Sequence, residues 1–277
     1  MAKTLGFYQN FDLVLQRLSS ALRCIQEDPE VGHSALAQCM SVNQPVAEGF
    51  SSWLRHTGLI ISEPHPGSQK RSYKLTPFGK LVYQYDPALT DRGTQWILHY
   101  YLATKRDEAS DAWYILINKY IPFNSKVNIE HFRSFFADLM GSNTKNQSAL
   151  IKDPRTALTT YTRPEALAQL RILEKLDNTT FCVRQPVSPP TLVVGFMLLD
   201  WWQYHYDETN TLSFSQLGRE EESIGRLCLA DAGQVRQWIT ALTGLGYLSF
   251  SETQHEPVHR LYQDRPVSLL ERYYTQR

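Results

Sequence analysis

The chain has 277 residues, 42% of them hydrophobic, and its 28 Lys and Arg balance 28 Asp and Glu. That is enough apolar material for a sizeable core and enough length for two or three small domains. A formal net charge of +0 excludes the basic bias of a free-standing, non-specific nucleic-acid binder. It leaves room for one local basic face, or for action inside a larger assembly.

The opening MAKTLGFYQNFDLVLQRL holds no apolar run of the kind a secretory signal needs. From Asn10 to Glu27, Leu13, Leu15, Leu18, Leu22 and Ile25 recur at helical spacing, and EDPE closes that helix. A short helix is expected from Gly32 to Met40. Ser41 or Asn43 suits the N-cap of the next helix, which carries Pro45 in its first turn. That helix should bury Val46, Phe50, Trp53 and Leu54, and end near His56 ahead of Gly58. LIISE and SYKLT read as strands joined by the turn PHPGSQKR, and TPFGKLVYQY as the helix behind them. Two aromatic helices follow, GTQWILHYYLAT and ASDAWYILINKY.

Further on, IEHFRSFFADLM is a strong amphipathic helix. NQSALIKDPRTALTTY is expected to break into two helices with Pro154 near a helix start, PEALAQLRIL to be helical, and EKLDNTTFCVRQ to form a hairpin turning at Asp177–Asn178. TLVVGFMLLDWW, from Thr191 to Trp202, is too short to span a bilayer and is interrupted by Asp200, so it reads as a buried helix. LSFSQL resembles a short helix start, Asp231 suits the cap of AGQVRQWITALTGL, and GYLSF and HRLYQ read as strands around the turn SETQHEPV. WLRHTGLIIS aligns with ITALTGLGYLSF: a helix end, Thr-Gly-Leu, then a strand, which points to an internal repeat. The expected fold class is mainly α, with tandem winged helix-turn-helix units at the two ends, a weaker third between them, and connecting aromatic helices. The expected division is a winged-helix domain with a leading helix at 1–90, a helical domain at 91–190 and a C-terminal winged-helix domain at 191–277.

Cys24, Cys39, Cys182 and Cys228 sit among apolar residues without a C-x-x-C pair, as expected of buried free thiols in a cytoplasmic protein. Catalytic motifs fail on context. His255-Glu256-Pro257-Val258-His259 matches H-E-x-x-H, but zinc chemistry needs both imidazoles on one helix face, and these residues fall in a predicted turn containing a proline. Ser142-Asn143-Thr144-Lys145 matches S-x-x-K inside a polar loop without partner motifs. Glu220-Glu221-Glu222 reads as a solvated face, because adjacent carboxylates on a helix diverge. No phosphate-cradling glycine motif occurs. The expectation is therefore no catalytic residue, metal, cofactor, small-molecule substrate or membrane contact.

Double-stranded DNA is the partner the charge pattern suggests. Pro64 to Tyr85 contains Lys70, Arg71, Lys74 and Lys80 and no acid, with Lys70 and Arg71 at the predicted wing tip, where cations reach phosphates. The same charges also serve to keep an edge strand soluble. On the predicted recognition helix, Asn43, Gln44, Ser51, Ser52 and Arg55 lie away from the Phe50/Trp53 side or at its rim, and such side chains read base edges. The middle segment adds Lys145, Lys152 and Arg155, and the last unit adds Gln234, Arg236 and Gln237, with Arg260 on its wing.

Five stretches carry a family resemblance: EDPE, WLRHTGLI, YKLTPFGKLVYQYDPALTDRGTQWILHYYLA, FMLLDWW and YLSF…HRLYQ. From about Asp28 to Tyr262 the chain resembles a bacterial family known as domain of unknown function 4007. The resemblance implies a defence-associated protein, encoded beside genes for DNA sulfur modification and phage restriction, and brings no catalytic residues with it. The chain departs from that pattern twice. GFYQNF lacks the histidine of a Gly-His-x-x-Phe start, and Val42-Asn43-Gln44 stands where many members carry Gly-Lys-Asn. The combined reading is a non-catalytic DNA-binding or scaffolding subunit that places a partner enzyme of such a system on DNA. The alternative is a protein–protein adaptor using winged helices without DNA contact.

Overall fold

The computed structural model describes residues 5–64, 71–106, 110–141 and 146–276. Its first part follows local chemistry closely. Helix α1 (Leu15–Glu27) buries Leu15, Leu18, Leu22 and Ile25. Helix α2 (His33–Cys39) leads into α3 (Gln44–His56), where Asn43 is the cap and accepts from the Val46 N–H. Gly58 takes the left-handed conformation (φ 73°) that lets the chain leave the helix. Strands β1 (Ile60–Pro64) and β2 (Arg71–Leu75) form an antiparallel hairpin, and α4 (Pro77–Tyr85) starts at the Thr76 cap. On the other side of β2, Tyr73 N–H donates to Pro29 O at 2.8 Å, so the loop before α2 touches the hairpin. The expectation of free thiols fails at one pair: Cys24 and Cys39 form a disulfide that ties α1 to α2, while Cys182 and Cys228 are free. Nothing in the local sequence revealed that pairing, which depends on how two helices cross.

Helix α5 (Arg92–Ala103) is followed by α6 (Asp111–Ile115), a π-helical turn (Leu116–Tyr120) and a 3-10 turn (Ile121–Phe123). Strand β3 (Lys126–Asn128) leads directly into α7 (Ile129–Met140). The split expected at Pro154 does not occur: α8 (Gln147–Thr160) runs through it. Proline costs a helix one hydrogen bond, but Leu150, Pro154, Ala157 and Leu158 are all buried, and that packing holds the helix together. The expected helix over PEALAQLRIL is instead a set of turns with a three-residue 3-10 segment, Ala168–Leu170. Strands β4 (Leu173–Lys175) and β5 (Thr180–Val183) then form the expected hairpin, with Asp177 accepting from the Thr179 and Thr180 N–H groups. β5 lies centrally, in the order β3-β5-β4.

Helix α9 (Thr191–Tyr206) is buried over most of its length. No described helix is long and apolar enough to cross a membrane. After it come β6 (Thr211–Ser213), α10 (Phe214–Arg219), α11 (Ile224–Leu227), α12 (Ala232–Gly244), β7 (Leu248–Phe250), β8 (Pro257–Arg260) and α13 (Val267–Thr275). The sheet order β6-β8-β7 repeats that of the middle sheet, since in both the last strand of the hairpin lies between its partner and the leading strand. A single hydrophobic core runs from Tyr8 to Tyr274.

The end units share the helix that precedes the hairpin and the turn out of it, though in a different register from the one the sequence suggests, while their sheets differ, with two strands in the first and three in the last. Helices α3 and α12 each span 13 residues, capped by Asn43 and Asp231. With those caps matched, Gly58 falls on Gly246, not Gly244, and both take positive φ (73° and 76°). The exit bonds also match: Leu59 N–H to Leu54 O and Tyr247 N–H to Leu242 O, at 2.9 and 3.0 Å. The shared Thr-Gly-Leu was thus two residues out of register. Gly244 still belongs to the helix, and Gly246 does the turning.

Candidate nucleic-acid interface

In the first unit, most of the expected contact residues are engaged within the protein. Asn43 is exposed, but its side-chain oxygen serves the cap. Gln44 donates to Glu48 Oε1 at 2.9 Å, and Arg55 to Ser52 Oγ at 3.1 Å. Ser51 is not at the rim: it is 3% exposed and donates to Glu48 O at 2.9 Å, so its hydroxyl is out of reach of a groove. Lys74 is paired with Glu63 across the hairpin at 2.6 Å. The acid-free stretch is therefore not an acid-free surface, because the register of β1 on β2 brings Glu63 alongside. Lys70 and the side chain of Arg71 lie outside the described residues, as does Lys145.

In the middle segment, Lys152 and Arg155 are exposed on α8, and Lys152 Nζ donates to Asn10 Oδ1 at 2.9 Å. The chain at 6–12 crosses this helix. Gly6 N–H and the Tyr8 hydroxyl both donate to the Asp153 carboxylate, at 2.9 and 2.8 Å, and Arg163 pairs with Asp12 at 2.6 Å. Burial pushes the Asp153 carboxyl up to about 6, partly offset by those two hydrogen bonds. One side of α8 is thus already covered.

In the last unit, Gln234 and Gln237 contact each other at 3.3 Å on the outer side of α12. Arg236 is partly exposed but engaged within the protein. It pairs with Glu252 at 3.0 Å and Glu256 at 2.5 Å and lies over the Phe214 and Phe250 rings. Arg260 donates to Asp207 O and Asn210 Oδ1. The H-E-x-x-H residues span the turn before β8 and the strand itself, with Glu256 held by Arg236 and His259 Nδ1 2.7 Å from Thr211 Oγ1. The two imidazoles share no helix face.

The run Glu220-Glu221-Glu222 corrects another expectation. It is solvated only in part: Glu221 is exposed and Glu220 partly so, but Glu222 is buried. Glu222 is 5% exposed with φ 65°, and its carboxylate accepts from Lys105 N–H and meets His205 Nε2, each at 2.9 Å. Its own N–H donates to Asn118 Oδ1 at 2.7 Å, and Asn118 lies within the π-helical turn, with its side-chain amide donating to Ala103 O and Tyr114 O. Glu221 bonds the Tyr114 hydroxyl and pairs with Lys119, while Glu220 accepts from Tyr206. The divergence of neighbouring carboxylates lets three consecutive glutamates reach α9 and the region around α6. Among the described residues, no three His, Cys, Asp or Glu side chains are placed to hold a metal ion.

A groove that sequence reasoning did not single out lies beside β4. It has a volume of about 640 Å³ and is lined by Arg171, Lys175 and Arg184 together with Leu173 and Glu174. A second, of about 310 Å³, runs between Arg55, β1 and Arg106. Arg106 is tied there to Asp200 at 2.5 Å and lies over the Tyr100, Tyr101 and Tyr204 rings. Separated cations of this kind carry no local signal, because only the fold brings 171, 175 and 184 to one wall.

The fold defines a mainly helical protein in which helix-then-hairpin units are strung along one core. The chain belongs to a family of proteins of unknown function, DUF4007, whose model matches residues 44–274. Two solved structures share the fold. A magnesium ion-bound SspB crystal structure aligns with a TM-score of 0.84 at 15% identity, covering 99% of this chain and 88% of that one. A second SspB crystal structure gives the same TM-score and coverage at 16% identity. No curated protein matches the chain.

Proposed function

We propose that the protein is a non-catalytic scaffolding subunit of a bacterial DNA-modification or phage-defence assembly, holding a partner on double-stranded DNA. The observation that carries this reading is the repeated unit: a leading segment on the hairpin, helices, then the hairpin itself. We read these as winged helices, with α3, α8 and α12 in the recognition position, in the three divisions 1–90, 91–190 and 191–277. Winged helices serve both DNA and protein partners, and the internal pairing of Lys74 and Arg236 weights this chain toward the scaffolding role. DNA contact then falls to Gln44, Arg55, Lys70, Arg71, Lys152, Arg155, Gln234 and Gln237.

The test is fluorescence anisotropy of labelled duplex DNA at several salt concentrations, with the chain alone and with its native partners. Phosphate contacts give a slope of log K against log salt of about −0.9 per contact. Absence of binding at low salt in both cases rejects DNA contact and leaves the adaptor reading. Plasmid relaxation assayed in magnesium, the ion present in one SspB structure, tests the non-catalytic part. Nicking by the purified chain would overturn it.

A further inference from the structure

Antiparallel pairing engages the backbone groups of alternate residues. Arg184 N–H donates to Ile172 O, and Leu176 N–H to Thr180 O, each at 3.0 Å. Ile172 and Leu176 therefore face β5. Leu173 and Lys175, between and beside them, turn their N–H and C=O groups the other way. No described strand pairs on that side, since β4 is the outer strand of β3-β5-β4; there Lys175 is exposed, whereas Leu173 is 4% exposed and reached only from the groove. Leu173 and Lys175 both line the 640 Å³ groove.

The charge of the groove is one-sided. Arg171, Lys175 and Arg184 face a single acid, Glu174, and Arg184 is the cation that pairs with it. Among the described residues neither Arg171 nor Lys175 forms an ion pair, and both are exposed. Arg171 also holds a left-handed backbone (φ 57°), a conformation that a non-glycine residue adopts at a cost. Leu176, at the end of the strand, is 48% exposed. An open strand edge, unpaired cations beside it and an exposed leucine at its end are the parts of a strand-addition site.

We propose that the β4 groove binds an acidic, extended segment of a partner protein, which adds to the sheet as a strand beside β4. Its backbone pairs with Leu173 and Lys175, and its carboxylates meet Arg171 and Lys175. A peptide fits this edge better than a nucleic-acid backbone does. The edge offers both donors and acceptors, whereas a phosphodiester supplies acceptors alone and leaves the carbonyls of Leu173 and Lys175 without partners. The inference rests on the scaffolding reading and names one of its docking faces.

The experiment uses the full chain and four labelled probes: an octapeptide alternating Glu and Val, its Lys/Val counterpart, the Glu/Val peptide N-methylated at every amide, and an oligothymidylate of equal length. The Glu/Val peptide is expected to bind, and both the Lys/Val and the N-methylated peptides to bind about tenfold more weakly or worse. The double variant Arg171→Glu, Lys175→Glu is expected to lose Glu/Val binding by about tenfold or more while melting at the wild-type temperature. If that variant fails to fold, Arg171→Ala alone, with a smaller loss, serves the same comparison. The proposal is overturned if the Glu/Val peptide does not bind, if N-methylation leaves its affinity unchanged, or if oligothymidylate binds in its place. Duplex-DNA affinity of the same double variant separates the two readings. Unchanged DNA binding with lost peptide binding leaves the DNA role standing, and the absence of DNA binding by wild type does not touch the peptide result.

Discussion

The two end units use the same backbone plan with their charges exchanged. When Asn43 is matched to Asp231, Glu48 of α3 falls on Arg236 of α12. In the first unit the acid sits on the helix, where Gln44 and His33 meet it, and the hairpin cation Lys74 is answered by Glu63. In the last unit the cation sits on the helix, and the hairpin side supplies Glu252 and Glu256. Either arrangement neutralises the outer face from within. Among the described residues of the middle hairpin, by contrast, Arg171 and Lys175 form no ion pair. A cation counted in the sequence is a candidate contact only once its own fold has been asked whether it supplies an acid.

The comparison breaks most sharply in the cores. Trp53 is fully buried, donates to Phe11 O at 2.8 Å and meets Trp113 edge-on, whereas its counterpart in the last unit, Ala241, is exposed. Trp53→Ala is expected to cost about 3–5 kcal/mol, and Trp96→Ala, equally buried, a similar amount. Ala241→Ser should change stability by less than about 0.5 kcal/mol. Urea denaturation measures all three, and wild-type stability in Trp53→Ala would refute the burial of Trp53 against Phe11 and Trp113.

Next in size is a pH effect at the seam between units. His99 is buried, with Nδ1 2.8 Å from the Tyr161 hydroxyl and Nε2 3.1 Å from Leu227 O. Burial lowers it from 6.5 to about 4. The unfolded chain therefore takes up a proton that the folded one refuses. The stability this histidine confers is whole above pH 6.5 and is lost as pH falls toward 4. Asp153, raised by burial, runs the opposite way, so the wild-type curve alone is uninformative. The informative quantity is the cost of His99→Gln relative to wild type. It should shrink by about 2–3 kcal/mol between pH 7 and pH 4.5, and a cost independent of pH would refute the neutral, buried imidazole.

What could be read in advance was local. The Asn43 and Asp231 caps, the turn at Gly58, the hairpins and the buried helix at 191 follow from short-range signals, and all appear in the structure. What could not be read depends on partners distant in sequence. Burial of Leu150 and Ala157 carries α8 through Pro154. The crossing of α1 and α2 joins Cys24 to Cys39. Asn118, 104 positions away, fixes Glu222. The contact residues suffered most, because exposure and pairing are properties of the folded surface: Ser51 is buried beside His33 of α2, and Lys74 and Arg236 are taken by acids that a count of charge along the chain does not bring near them.

A smaller contrast tests the matched glycines. Both take positive φ, so alanine at either carries the left-handed penalty of about 1–2 kcal/mol. A Cβ on Gly246 meets nothing within 4 Å, but on Gly58 it would fall within the ring of Tyr101. Gly246→Ala should therefore cost about 1 kcal/mol, and Gly58→Ala clearly more. Equal costs would mean that Tyr101 swings aside freely and that the two exits are not distinguished by packing.

The smallest expected effect bears on the exchanged charges themselves. Lys74 and Glu63 are both largely exposed, and an exposed ion pair contributes about 0–1 kcal/mol. Lys74→Ala should therefore leave the melting temperature almost unmoved, and added salt should not change the difference. Arg236 lies between two carboxylates and over two aromatic rings, so Arg236→Ala removes ion pairs and ring packing together, and should lower the melting temperature measurably more. High salt should recover only the ionic share of that loss. The informative control is Arg236→Met, which keeps apolar contact with Phe214 and Phe250 while deleting the charge. If Met restores most of the stability, the rings hold that side chain and the acids merely neutralise it. If Met behaves like Ala, the carboxylates hold it, and the pairs of Arg236 with Glu252 and Glu256 are what fix the last hairpin onto α12.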